Sequence, residues 1–451
     1  MLWLKQKMSS DLVPIMTLVH DPKRGIYPAI RWVRPDEPLP ELTGNELRPW
    51  RRLTEILHEG VKQLYDETSH RWRGDAYIMP DLINIVNALP LNHPLRRKVV
   101  KLVLLHGCLI TNKGDWLPQK TLKWFEGAIK NIGAKFPPPP SPKPKPEVEG
   151  QPKHGIKLEP DRIPYMEAKK LVEGQRTRQG RLDELWRRWA KKRYGTDYSS
   201  GIKDGIVTKL TEKLIADKEF VEAFINSPLN YLYATADDAL KDKENFKRHV
   251  YGFIDGLVGA WAQTASDHHP LAWALQIAVA QEFGLTERYK AMLQRLRELS
   301  GDEEDPYIVE ETAFLYDALK PLLHKYVRAV YDETQEFLNE TGLEELYLMR
   351  GVGVPDEVAK TLSEWEFKLV EPPFLPASSW SINYETAVRF AKWMVNKYNL
   401  KPALYMIRLP KEAFHLIIST ALTGWGCFLE DEFVLTIPEG QEVWGAIAHT
   451  Y

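Results

Sequence analysis

The chain is nearly without cysteine. Cys108 and Cys427 are the only thiols in 451 residues. Two thiols cannot build a disulfide framework, and they exclude a cysteine-rich zinc site. A reducing compartment suits such a chain. No apolar run reaches the ~18 residues that a membrane-spanning helix needs. The start, Met1-Leu-Trp-Leu-Lys-Gln-Lys7, is too short in apolar residues for a secretory signal. Glycine fingerprints of the Walker or dinucleotide-fold type are missing, and no internal repeat is found. These absences predict a cytoplasmic protein without a membrane partner, or one delivered from a virion or by a route that reads no N-terminal signal.

What is present divides the chain. Apolar residues make up 44%, enough for one or more buried cores. The length suggests two or three domains. The formal net charge of −2 hides an asymmetry. Residues 1–135 carry 21 Lys/Arg against 14 Asp/Glu, a net +7, whereas residues 311–451 carry 12 against 20, a net −8. A basic N-terminal part can face an anionic partner such as nucleic acid, or simply be a solvated surface. Phe136-Pro-Pro-Pro-Pro-Ser-Pro-Lys-Pro-Lys-Pro-Glu-Val-Glu-Gly150 is the clearest boundary. Successive prolines favour extended polyproline II, a stiff spacer or a ligand for an aromatic groove.

The expected order is therefore a basic domain over 1–135, a proline-rich linker over 136–155, a helical region over 156–304 and a mixed domain over 305–451. In the first, Val13–Val19 and Ile26–Val33 flank the turn-rich His20-Asp-Pro-Lys-Arg-Gly25 and read as a hairpin. The prolines inside both runs point to edge strands. Residues 46–134 have helical spacing of apolar positions. Residues 160–300 are helical almost throughout, with a helix start at Ser266-Asp-His-His-Pro270. A helix from about 308 to 340 ends at the cap glycine Gly342. Beyond it come short β-like runs at 346–350, 367–370, 403–409, 416–419, 432–437 and 443–448, interrupted by one helix, 384–398. The fold class is α+β.

Three short stretches in this last part can carry chemistry. Arg350 ends a strand and precedes Gly351. A guanidinium there can grip a pyrophosphate by two parallel hydrogen bonds, and a glycine lets a ligand approach the backbone. Ser379 and Ser381 alternate on an extended segment, so both hydroxyls can face one side. Asn383 is positioned to cap the following helix, which carries Ala387 and Phe390. Glu430 and Glu432 lie two apart at a strand start and can share a face. One such carboxylate can stabilise an oxocarbenium-like ribosyl centre while the other orients or deprotonates a nucleophile. Each stretch alone also reads as ordinary structure: a strand running into a turn, a helix entry, an acidic turn.

Taken in order, Arg, Ser-x-Ser and Glu-x-Glu resemble the arginine-specific mono-ADP-ribosyltransferases of the cholera-toxin and clostridial C2-like class. The resemblance covers residues 305–451, about a third of the chain, and includes the helix before Leu346 and the run Phe433-Val-Leu435 with Pro438-Glu-Gly440. It implies a catalytic domain with a split β-sheet core and NAD as substrate. It implies that Arg350 binds the NAD phosphates and Gly351 the nicotinamide amide. Ser379 would support the catalytic Glu432, with Ser381 beside it, and Phe390 would stack on nicotinamide. Glu430 would engage the acceptor, an arginine of a protein. The turn Ser419–Phe428 would recognise that acceptor, its glycines allowing movement and Trp425 or Phe428 touching it. Trp380 departs from the family, which usually carries a small residue, often Thr, at that point; on an extended segment it would point away from the ligand.

Other readings stay open. Asp267-His268-His269 can be a metal set or a helix cap, and the cap is favoured because neighbours at a helix start face different ways; no metal is expected. Arg187–Arg193 can bind nucleic acid or form a solvated helix face. The C-terminal domain can be a non-catalytic interaction module, as in a virion-associated protein, or its acceptor can be a nucleic-acid base. The layout also resembles phage- or prophage-encoded transferases.

Overall fold

A computed structural model describes residues 13–21, 25–33, 136–141, 156–195, 199–227, 235–262, 269–300, 308–372, 374–398, 400–426 and 430–449, with Leu229 and Tyr233 between. The chain divides into two compact units. One comprises Met1–Phe136, Val221–Phe246 and Val309–Leu319; the other comprises Pro137–Phe220, Lys247–Ile308 and Lys320–Tyr451. The expected helices over 46–134 and most of the proline-rich stretch lie outside the described residues.

In the first unit, β1 (Val13–Asp21) and β2 (Gly25–Val33) form the expected hairpin, antiparallel from Val13↔Val33 to Asp21↔Gly25. It is a two-stranded sheet, so both strands are edges and tolerate Pro14 and Pro28. Phe246 stands edge-on to Phe224 and Tyr233, with centroids 5.5 and 5.7 Å away.

The described helices are α1 (Tyr165–Tyr194), α2 (Ser199–Ala216), α3 (Lys218–Asn226), α4 (Ala236–Lys241), α5 (Lys243–Ala262), α6 (Pro270–Phe283), α7 (Thr286–Ser300), α8 (Ile308–Thr341), α9 (Asp356–Ala359) and α10 (Tyr384–Tyr398). Their ends follow local chemistry. Gly342 adopts φ 64° just past α8, and Gly284 φ 68° past α6, the left-handed conformation that glycine adopts without a Cβ clash. Pro270 opens α6, where a missing N–H costs nothing.

The second unit is built on an eight-stranded sheet ordered β3-β5-β10-β7-β4-β6-β9-β8. The strands are β3 (Arg162–Pro164), β4 (Glu345–Val354), β5 (Glu366–Val370), β6 (Ser378–Ser381), β7 (Lys401–Pro410), β8 (Ile417–Thr420), β9 (Glu432–Leu435) and β10 (Val443–Ile447). Every pairing is antiparallel. The described fold is thus mixed α/β with an antiparallel sheet. Two strands escape sequence patterning because they are only three and four residues long. One of them, β3, comes from the stretch read as helical.

The sheet has two unequal halves. β4 pairs with β7 over ten residues, from Glu345↔Pro410 to Val354↔Lys401. Its other edge meets β6 only at Met349↔Ser381. Beyond that pair the two edges part, which leaves five strands on one side and three on the other.

Helix α10 lies against β4. It is capped as its sequence predicts: Asn383 Oδ1 accepts from the backbone N–H of Glu385 (3.0 Å) and Thr386 (3.4 Å). A Cβ on Gly351 would stand 1.7 Å from the Ala387 carbonyl oxygen and 2.8 Å from the Ala391 nitrogen. Glycine on the strand and alanine on the helix therefore set this approach. Elsewhere, the proline run is held down at its start. The carbonyls of Pro137, Pro138 and Pro140 accept from Tyr289 Oη (2.6 Å), Gln281 Nε2 (2.8 Å) and Thr286 Oγ1 (2.8 Å). A residue that cannot donate still accepts.

Gly351→Ala should lower the unfolding free energy by at least about 1–3 kcal/mol, the usual cost of overpacking. Urea denaturation measures it, and an unchanged midpoint would contradict the packing described.

Candidate functional site

The seam between the two halves of the sheet gathers most of the residues singled out in the sequence. Arg350 follows the joining residue Met349 and lies opposite Tyr405 on β7. Its Nη1 donates to the Ser379 carbonyl at 2.5 Å, so the guanidinium braces β4 to β6 just where their ladder ends. The buried Nε–H takes no protein acceptor. Phe374 lies 5.9 Å from the guanidinium carbon. Burial pushes the Arg350 pKa down to about 10, against the pull of the Glu432 carboxylate, so the group stays cationic at neutral pH.

Ser381 faces Glu432 across the β6–β9 ladder, and both are buried. The Ser381 hydroxyl donates to the Glu430 carbonyl (2.6 Å) and accepts from the Asn383 N–H (2.9 Å). One hydroxyl thus ties the end of β6 to the acidic turn and to the start of α10. Ser379, half-exposed, lies opposite Val434. Strand alternation puts Ser379, Ser381 and Glu432 on one face. Trp380 takes the other: it is 2% exposed, its Nε1 donates to Ser378 Oγ (2.9 Å), and its ring stands edge-on to Phe374 at 5.2 Å. The residue that departs from the family pattern therefore points away from the serine face, as an extended segment requires. Arg350 shares the Phe374 side and reaches the seam through the Ser379 carbonyl.

The two glutamates do not alternate along one strand as expected. β9 begins at Glu432, and Asp431 before it has φ 48°, a left-handed turn residue. Glu430 is placed by that turn. Its carboxylate lies 3.6 Å from Arg389 Nη2 on α10. Burial raises the Glu430 pKa, with Arg389 opposing. Phe390, next along α10, is half-buried, and the Arg389 guanidinium lies 5.7 Å from its ring.

No family model, curated protein or solved structure matches the chain. The geometry must therefore be read for itself, and it changes several expectations. Gly351 was expected to admit a ligand to the backbone. Its Cβ side is instead filled by α10. Trp425 was expected to touch an acceptor protein. It is 1% exposed, stacked on Trp261 at 4.8 Å. Phe428 and Cys427 lie outside the described residues.

The turn after β8 is also not loose. Thr423 Oγ1 accepts from the Thr420 N–H (3.0 Å) and hydrogen-bonds Thr334 Oγ1 at 2.6 Å. Trp425 N–H donates to Ser419 Oγ (2.9 Å), and Tyr194 Oη to the Leu422 carbonyl (3.0 Å). A Cβ on Gly426 would meet the Ala421 nitrogen at 2.0 Å. The glycine here serves close packing, not movement.

Among the described residues no cluster of three or more His, Cys, Asp or Glu could hold a metal. His269 sits buried at the N-cap of α6, its pKa pushed down to about 4 by burial; Asp267 and His268 lie outside the described residues. The basic run of α1 is tied into ion pairs, Arg188 to Glu184 at 3.2 Å and Lys192 to Glu340 at 3.1 Å, as a solvated face would be. Phe374, Arg389 and Tyr405 were not foreseen at the seam. Each comes from a different element, and no short-range pattern links them. A cavity of about 460 Å³ lies elsewhere and shares none of the seam residues.

Two outcomes follow from this placement. Trp425→Ala should cost about 3–5 kcal/mol of stability, a core-tryptophan value, read by urea denaturation; a loss below about 1 kcal/mol, the usual range of surface changes, would return Trp425 to the surface. Glu430 has a raised folded pKa, so its stabilising form is neutral. That contribution is full below the ordinary carboxylate value and is lost as pH rises through the raised one. Glu430→Gln should therefore gain stability relative to the parent as pH rises from acid to neutral. Parallel unfolding midpoints that never converge or diverge with pH would contradict this.

Proposed function

We propose that the protein is an NAD-dependent mono-ADP-ribosyltransferase that passes ADP-ribose to an arginine side chain of a protein and releases nicotinamide. The observation that carries the reading is the seam. Arg350, Ser379, Ser381 and Glu432, ordered in sequence as in that enzyme class, come together where an antiparallel sheet divides into two halves. The finer fold proposal, an ADP-ribosyltransferase-like domain over residues 305–451 with a split sheet, rests on the same division.

The residues fit an anionic dinucleotide in one respect that bears on binding. Arg350 keeps its charge in a buried setting with an unsatisfied Nε–H. A cation of that kind suits a phosphate acceptor. Its bond to the Ser379 carbonyl makes it a brace for the seam as well. Glu432, buried opposite Ser381, would stabilise positive charge developing on the nicotinamide ribose as the bond to nicotinamide breaks. Glu430 has the raised pKa of a carboxylate suited to accept a proton near neutral pH. In this role it takes the proton from the attacking guanidinium nitrogen as the new carbon–nitrogen bond forms. Phe390, half-buried on α10, would offer a ring to nicotinamide.

A second reading is favoured by the packing of Gly351 and by the hydrogen bond that Arg350 already spends on the backbone. In it the domain is a non-catalytic interaction module, such as part of a virion-associated protein. A nucleic-acid acceptor remains compatible with the basic N-terminal part.

Labelled NAD incubated with the full chain and a cell lysate decides between them. The enzyme reading expects transfer to an acceptor, or slow NAD hydrolysis. Glu432→Gln should lower that rate about 10²–10⁴-fold while the unfolding midpoint stays near that of the parent. Unchanged activity removes the assigned role, and absence of transfer, hydrolysis and NAD binding together sinks the proposal.

A further inference from the structure

A cavity of about 460 Å³ opens between the start of α1, the start of β5, the exposed side of α10 and the residues after β10. Its size lies within the ~300–1,000 Å³ of small-molecule sites. Four aromatic side chains line it: Tyr165, Tyr384, Trp365 and His449. They belong to four separate segments, and hydrogen bonds lock those segments together. Tyr165 Oη lies 3.1 Å from Tyr384 Oη and accepts from the His449 N–H at 3.2 Å. The Tyr165 N–H donates to the Trp365 carbonyl at 2.9 Å, and His449 Nε2 lies 2.6 Å from the Glu364 carbonyl. The His449 ring stands edge-on to Tyr165 at 4.2 Å and tilted to Trp365 at 5.9 Å. The walls are therefore set before any ligand arrives.

Against this order, Trp365 is 74% exposed. An indole held at a cavity rim and left to water is costly unless something covers it. Charge narrows what that is. Lys169 and Lys392 line the cavity together with one carboxylate, Glu385. Lys169 Nζ is held 4.5 Å above the Tyr384 ring and shares its charge with Glu173 at 3.6 Å. The lining thus pairs flat aromatic surfaces with a small excess of cations.

We infer that this cavity is a nucleotide site: a planar heteroaromatic base stacks on Trp365 and the tyrosine wall while its phosphate meets Lys169 and Lys392. Stacking on an aromatic side chain accepts any base, because every base has a π-face. The ligand chemistry is that of a nucleoside monophosphate, supplied either as a free nucleotide or as the 5′-phosphorylated end of a single strand. The site is separate from the seam and does not depend on the transferase reading.

The test is calorimetric titration of the full chain with AMP, with adenosine and with a 5′-phosphorylated oligodeoxyadenylate. Binding of AMP is expected, weakened about tenfold or more in Trp365→Ala and weakened in the double variant Lys169→Met/Lys392→Met. Adenosine should bind more weakly than AMP. Glu432→Gln should leave AMP binding unchanged, which separates the cavity from the seam. AMP tighter than the oligonucleotide identifies a free ligand, and the reverse identifies a strand end. Trp365 is exposed, so its loss should not unfold the chain, and an unchanged thermal midpoint checks this. No AMP or oligonucleotide binding at about 10 mM ligand overturns the inference. So does binding that survives Trp365→Ala but is lost in Glu432→Gln, since that would place the nucleotide at the seam.

Discussion

One register pair, Met349↔Ser381, is all that joins the ladder of β4 to that of β6. Everything placed at the candidate site depends on how the sheet holds together there. Two backbone ladders meeting at a single pair would come apart without added contacts. The Arg350 guanidinium supplies one by bonding the Ser379 carbonyl, and the Ser381 hydroxyl supplies another by bonding the Glu430 carbonyl. Both are side-chain bonds to backbone, made where backbone-to-backbone pairing stops. Unpaired strand edges are otherwise a liability. Here the opened edge is the place where charged and hydroxyl groups are brought together.

Around the seam the packing is rigid. Gly351 lets α10 settle directly on β4, and Gly426 lets the turn after β8 fold back on Ala421. Further along the same unit, Arg193 forms a bidentate pair with Glu333, at 2.9 and 2.7 Å, and also reaches Glu336. Glu333 is 2% exposed, so its charge is tolerated only because that fork satisfies both oxygens. Thr334, next in the helix, bonds Thr423. Helix α8 therefore anchors the β8 turn through polar contacts on consecutive residues, while Trp425 anchors it through the core. A turn held in that way presents fixed geometry rather than a mobile arm.

Long elements were legible because their signals repeat. The periodicity of 308–340, with its closing glycine, and the helix 384–398, with Asn383 before it, agree with α8 and α10 nearly to the residue. The hairpin of β1 and β2 was marked by apolar runs about a turn. Short strands carried too few residues to show a period, so β3 was read as part of a helical stretch. The side of a glycine or tryptophan that meets its neighbours was not legible either. Gly351 and Trp425 looked like ligand-facing residues because nothing in the linear order says what fills the space beside them. The aromatic cavity near Trp365 was missed for the same reason, since its walls come from positions up to 285 residues apart, Pro164 to His449.

By itself the sequence determined the α+β class, the capped helices, the shortage of cysteine and the order Arg, Ser-x-Ser, Glu-x-Glu, because composition, caps and periodicity are local and survive without a fold. Only tertiary structure decided the rest. It decided that Arg350 spends a bond on Ser379, that Ser381 faces Glu432, that Asp431 turns the chain so Glu430 meets Arg389, and that Trp380 turns its ring away. Each of these depends on which strands become neighbours and in what register. Register is a property of the whole sheet, and a one-residue shift would put every one of those side chains on the opposite face.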